Sequence, residues 1–198
     1  MFYFHIEGMD LAGKTTASKA ISANFGNCLI RRNTLQDKSC FHSIVDQIRI
    51  DGTLSELDTG LLYCKVLEDD LRHFQNPTQD TIQDSTVLLR SLSYHYSCGN
   101  WDLVREFENL LHLHPRFTKT VVLTASLESR LTRLEMRKLS IPEEVAADDL
   151  MILTDPDKFF LMEKYLVNYA VDYFDATVLD TSRLTTKEVE LSMIEIFR

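Results

Sequence analysis

Residues 8–15 read Gly-Met-Asp-Leu-Ala-Gly-Lys-Thr, and few octapeptides restrict a fold so strongly. The spacing GxxxxGK[ST] is that of a phosphate-binding loop (P-loop). In such a loop backbone N–H groups wrap nucleotide phosphates, the lysine reaches the outer ones and the hydroxyl takes Mg²⁺. It requires a strand before it and a helix after it, and both flanks comply. Phe2-Tyr3-Phe4-His5-Ile6 is an apolar, aromatic-rich run that reads as a buried strand. Beyond the loop, Ala17, Ala20, Ile21 and Phe25 recur at helical spacing, Thr15-Thr16 opens the helix and Gly26-Asn27 stops it. With glycine at ~7% per position, a chain this long matches the pattern by chance about once in a hundred. Gly8, Met9, Leu11, Ala12, Gly13, Lys14, Thr15 and Thr16 are therefore the candidate phosphate-side residues. Lys14 is the principal charge among them, and Thr15 is the hydroxyl for the metal.

The remaining pattern alternates strands and helices. Asn27 to Arg31 reads as a second strand, followed by a polar connection from Arg32 to Ser39. Residues 40–50 and 53–74 read as helices, the second striped by Leu57, Leu61, Leu62, Val66 and Leu67. Thr81 to Asp84 reads as a third strand, with Asp84 at the carboxyl end where α/β sheets place ligand-binding groups. Helices over 85–97 and 102–113 precede a strand from Lys119 to Leu123. Residues 126–138 carry leucines on one face and Arg130, Arg133 and Arg137 as a neighbouring stripe. Asp155-Pro156 starts a long helix, and Ala176 to Asp180 forms the last strand before a terminal helix. Parallel strands need crossover connections, so this order predicts an α/β three-layer domain: a five-stranded, mostly parallel sheet flanked by helices. Periodicity alone leaves the strand order open.

At 198 residues the chain is expected to form a single domain. Thirty acidic against twenty-one basic residues leave a formal charge of -9, which disfavours nucleic acid polymers and anionic membranes as partners. A small anionic ligand is still compatible, because local arginines and a helix N-terminus reverse the field inside one cleft. Cys28, Cys40, Cys64 and Cys98 lack zinc-type spacing and read as reduced, structural thiols. His95 reads as packed at a helix end, and His112-x-His114 as helix-terminal chemistry rather than a metal site. No basic-then-apolar leader and no run of ~18 apolar residues is present, so a cytoplasmic location is expected.

The segment IEGMDLAGKTT resembles the P-loop of thymidylate kinases and, more loosely, of deoxynucleoside kinases; Glu7-Gly8 before the loop and Asp10 within it carry the likeness. Later features follow in family order: Arg31 after the second strand, Asp84 after the third, and the arginine-bearing helix leading into a lid-like segment at about 138–152. Last come the long helix DKFFLMEKYLVNYA and ATVLDTSR. The resemblance implies an ATP- and Mg²⁺-dependent phosphotransferase acting on a nucleotide, a nucleoside or a related small molecule. It also implies a homodimer, Asp10 toward the acceptor, Arg133 or Arg137 on the transferring phosphate, and Ser182 and Arg183 near adenine.

Two departures fall on the acceptor half. Arg31 is followed by Arg32-Asn33-Thr34 where the family has Glu-Pro-Gly, and Asp84 is followed by Ser85-Thr86 where the family has an arginine. Serine supplies neither the charge nor the fork of a phosphate clamp. Arg31 is a candidate acceptor contact and Arg90 a candidate replacement for the missing clamp. Asp84 serves as a metal-side carboxylate or as a base, and its division of labour with Asp10 stays open. A kinase of a non-phosphorylated metabolite and a nucleotide-binding regulator without transfer are the competing expectations.

Overall fold

The structure, a computed structural model, describes residues 1–37, 39–142 and 147–198. Its elements run β1 (Tyr3–Glu7), α1 (Lys14–Asn24), β2 (Leu29–Arg32), α2 (Cys40–Asp51), α3 (Glu56–Arg72), β3 (Thr81–Asp84), α4 (Val87–Ser97) and α5 (Trp101–Leu111). They continue with β4 (Lys119–Thr124), α6 (Leu127–Ser140), α7 (Ala147–Thr154), α8 (Pro156–Phe174), β5 (Thr177–Asp180) and α9 (Thr186–Phe197). The expected α/β architecture is present as a five-stranded sheet in the order β2-β3-β1-β4-β5, with every pair parallel.

All carboxyl ends therefore share one edge. β1 is central, with β3 on one side and β4 on the other, so the loop after β1 opens where the chain crosses from one half of the sheet to the other. Open parallel sheets bind ligands at such a switch point.

Alternation along β1 divides the core. Phe4 and Ile6 pack with Ala17 and Ile21 of α1 and with Val189, Met193 and Phe197 of α9. On the opposite face Val122 joins Leu88, Leu89 and Leu92 of α4 and Phe159, Leu166 and Ala170 of α8. Side-chain caps start most helices: Ser39, Ser55, Thr86, Ser126, Asp155 and Thr185 each accept a backbone N–H of the first turn.

The structure moves several expected boundaries, most of them by one or two residues. The third helix starts at Glu56, because Ser55 caps it. β2 starts at Leu29 and includes Arg32, which the sequence reading placed in a polar connection; pairing with β3 carries the ladder on until Arg32 stands opposite Asp84. Within the lid-like segment, Ala147–Thr154 is a separate helix too short for its periodicity to register; residues 143–146 lie outside the described residues.

Gly60 in α3 shows packing overriding helix propensity. A Cβ built there would lie 2.5 Å from Leu103 Cδ1 and 2.7 Å from His95 Cε1, both on buried side chains. Alanine gains about 1 kcal/mol of helix propensity over glycine, whereas overpacking costs about 1–3 kcal/mol. Gly60→Ala is therefore expected to lower stability in urea denaturation, the reverse of what propensity alone predicts.

Candidate active site

The P-loop is anchored by its own apolar side chains. Met9 and Leu11 sink into the core under α4 and α8, and Ala12 into the one under α1 and α9. This pins the loop from both faces of the sheet. Gly8 has φ 146°, and a Cβ there would lie 2.3 Å from the Leu123 carbonyl oxygen, so the first glycine is required by close approach to β4. Gly13 caps α1 with φ 99° and provides no side-chain cap, and the first turn of α1 holds no acid. The positive end of the α1 dipole thus faces the loop unneutralised. Thr15 and Thr16 are exposed there.

Glu7, at the end of β1, is fully buried. Its Oε1 accepts the Gly8 N–H at 3.0 Å and its Oε2 the Thr86 N–H at 2.9 Å, so one carboxylate ties the start of the P-loop to the start of α4. Burial pushes its pKa up, but the neighbouring His5, Arg90 and Lys14 outweigh burial and hold it below the ordinary glutamate value.

Asp10 sits between two cations, with Arg90 Nη2 at 2.8 Å and Lys14 Nζ at 3.6 Å. Burial raises the Asp10 pKa, yet Arg90 and Lys14 together hold it well below the usual carboxylate range. Lys14 Nζ also donates to the Met9 carbonyl at 3.1 Å; burial lowers its pKa, against the pull of Asp10. Arg90 Nη1 donates to the Gly8 carbonyl at 3.1 Å. Arg90, considered above as a phosphate clamp, is thus bound to the P-loop backbone and to Asp10.

Asp84 lies at the same edge, one strand over. Burial raises its pKa, and Lys14 and Arg32 oppose this only in part. Keeping Asp84 ionised in the folded state therefore costs stability. That cost applies at pH values above the folded-state pKa and vanishes below the unfolded value of 3.8, where both states are protonated. Asp84→Asn is expected to raise the melting temperature of the ligand-free protein at pH 7. The gain should fade as pH falls through the folded-state pKa, and melts at pH 7 and pH 3 test this.

The arginine stripe of α6 divides in three. Arg133 Nη1 donates to the Leu11 carbonyl at 2.8 Å and Nη2 to the Thr181 carbonyl at 2.8 Å, bridging the P-loop to the loop after β5. Arg137 Nη1 lies 2.8 Å from both oxygens of Asp149 on α7. Arg130 is fully buried. It donates to the Ala125 carbonyl at 2.9 Å, to the Asp10 carbonyl and to Glu163 of α8, and its guanidinium lies 4.9 Å from the Phe159 ring centre.

Ser182 and Arg183 occupy the loop after β5 that Arg133 joins to the P-loop; the Ser182 carbonyl accepts from Ser129 at 2.7 Å, and Arg183 is exposed. Arg31 is turned to Asp37 at 2.6 Å.

The structure thus brings Gly8 to Thr16, Asp10, Asp84, Arg90 and Arg133 to one edge. Glu7, Arg32, Arg130 and Thr181 join them and were not singled out from sequence as site residues. Glu7 had only its place before the loop to mark it, and Arg130 only its place in the stripe.

An oxygen donor set suits Mg²⁺: the Thr15 hydroxyl and the Asp84 carboxylate are hard ligands, and Asp84 interacts electrostatically with the P-loop lysine. Among the described residues no group of three or more His, Cys, Asp or Glu forms a metal cage. This agrees with the usual binding of Mg²⁺ through one or two protein oxygens, phosphates and water.

No protein-family model matches the chain, and no curated protein matches it. Solved structures do. A thymidylate kinase from Candida albicans aligns at TM-score 0.71 and 14% identity, covering 99% of this chain and 90% of the other. One from Ehrlichia chaffeensis aligns at TM-score 0.67 and 14% identity, covering 100% and 98%. A deoxyadenosine kinase from M. mycoides, with dCMP and dCDP bound, aligns at TM-score 0.64 and 17% identity, covering 98% of both chains. The fold of this chain is that of the thymidylate kinase-like P-loop kinases.

Proposed function

We propose that the protein is a Mg²⁺-dependent phosphotransferase that moves the γ-phosphate of ATP to a nucleotide or nucleoside. The observation that carries this reading is the pairing of an intact P-loop, with Lys14 at the open N-terminus of α1, with Asp10 and Asp84 at the same sheet edge. Phosphoryl transfer asks a protein mainly to hold donor and acceptor in line and to neutralise charge on the transferring oxygens.

Each residue has a place in that task. The backbone N–H groups of residues 8–16 and Lys14 hold the β- and γ-phosphates. Thr15 and Asp84 would hold the metal, whose chemistry is to neutralise the phosphate oxygens. Asp10, kept ionised by Arg90, orients the acceptor hydroxyl. Arg133, held to the P-loop at the Leu11 carbonyl, is the arginine of the stripe that would stabilise the transition state. Arg137 is paired with Asp149. Ser182 and Arg183 flank the adenine side.

The four cysteines are free thiols, and no helix among the described residues is long and apolar enough to cross a membrane. Both suit a cytoplasmic enzyme with a small-molecule acceptor, as does the net acidic charge; family likeness extends the reading to a homodimer. The test is mass-spectrometric detection of phosphorylated product from ATP, Mg²⁺ and a panel of nucleosides and their monophosphates, with Lys14→Ala as control. Product absent from the control supports the reading. ATP binding without any product overturns it in favour of a nucleotide-binding regulator.

A further inference from the structure

Arg32 closes β2 directly opposite Asp84 in the parallel register. Its Nε lies 3.8 Å from Asp84 Oδ2, a loose pairing without a hydrogen bond. The arginine side chain is 59% exposed, whereas that of Asp84 is 6% exposed. Its guanidinium donates no hydrogen bond to any described residue. The arginines singled out from sequence for the acceptor are committed elsewhere: Arg31 to Asp37, and Arg90 to Gly8 and Asp10. Beside Asp84, Ser85 has a buried hydroxyl with no partner.

We propose that Arg32 is the anion clamp of the acceptor half of the site, and that the acceptor carries a phosphate group before transfer. This rests on the kinase reading above. Position 85, next to Asp84 along the chain, lacks an arginine; the neighbouring strand brings one to Asp84 across the sheet. Asp10 already has Arg90 and Lys14 beside it, whereas Asp84, a carboxylate at the same edge, has Arg32 as its arginine neighbour, and a carboxylate repels an anion unless a cation intervenes. A guanidinium has five N–H donors in a fork matched to phosphate, and those of Arg32 are open toward solvent. A neutral acceptor would leave that fork unused. The pairing with Asp84 keeps the arginine at the sheet edge.

The test compares kcat and KM for matched nucleosides and nucleoside 5′-monophosphates in wild type, Arg32→Gln and Arg32→Lys. Wild type is expected to prefer monophosphates. Arg32→Gln is expected to raise their KM about 10- to 100-fold, the value of one charged hydrogen-bonding partner, while the KM for ATP stays within twofold. Arg32→Lys should recover part of the loss, since it restores charge but not the fork. A wild-type preference for nucleosides, or an equal effect of Arg32→Gln on both acceptor classes, overturns the clamp while leaving the kinase reading intact. Absence of product from wild type overturns the kinase reading instead. Calorimetric binding of monophosphates to wild type and Arg32→Gln then decides the clamp by itself: binding weakened in the variant upholds it, and equal or absent binding overturns it.

Discussion

Lys14→Ala is expected to reduce phosphoryl transfer by about 10²- to 10³-fold or more, the scale of removing one preorganised charge from a transition state, and to weaken ATP binding in calorimetry. The fold should survive, because the loop is fastened by Met9, Leu11 and Ala12 in the two cores and not by the lysine. Asp10 keeps Arg90 as its partner at 2.8 Å, so no carboxylate is left buried and unpaired. Burial lowers the lysine's own pKa, so this charge is held at some cost to stability. A large loss of activity with an almost unchanged melting curve is the signature of a group retained for its ligand. Transfer at the wild-type rate would remove Lys14 from the chemistry.

The largest expected effect on stability belongs to Arg130. Its guanidinium is fully buried, donates to the Asp10 and Ala125 carbonyls and pairs with Glu163 beneath the Phe159 ring. Arg130→Ala leaves the Glu163 carboxylate buried without its cation. Breaking a buried pair from one side costs about 3–5 kcal/mol, which for a chain of this size lowers the melting temperature by roughly 6–20 °C. The double variant Arg130→Met, Glu163→Leu should recover most of that loss, because two apolar side chains of similar volume remove the unpaired charge along with the pair. It would not restore the bond to the Asp10 carbonyl, so nucleotide affinity should remain below wild type even where stability returns. Equal stability of Arg130→Ala and wild type in urea denaturation would show that the pair is not buried as described.

Arg130 also shows where reading from sequence stops. Its helix was legible from the leucine spacing, and the arginine stripe was visible as a stripe. Nothing in that spacing distinguishes an arginine that faces α8 from one that faces the P-loop or α7. Arg130, Arg133 and Arg137 make those three contacts in turn. The deciding partners, Glu163, Leu11 and Asp149, lie on other elements. Arg31 and Arg32 are a similar case: adjacent residues of one strand point to opposite faces, and only pairing with β3 shows which one meets Asp84.

What the sequence by itself determined is whatever depends on neighbours a few residues apart. The glycines of the P-loop, the alternation of strand and helix, and the Asp155-Pro156 helix start are all consequences of local backbone sterics and of period-2 or period-3.6 burial. Tertiary structure alone decided the strand order and which charges are paired. Glu7 meets Thr86, 79 residues away, and Arg133 meets Leu11, 122 residues away. Such contacts depend on how apolar faces stack across the sheet, and many sequences with the same periodicity would stack differently. The P-loop is thus a local property of the chain, and the set of charges around it is a property of the assembled sheet edge.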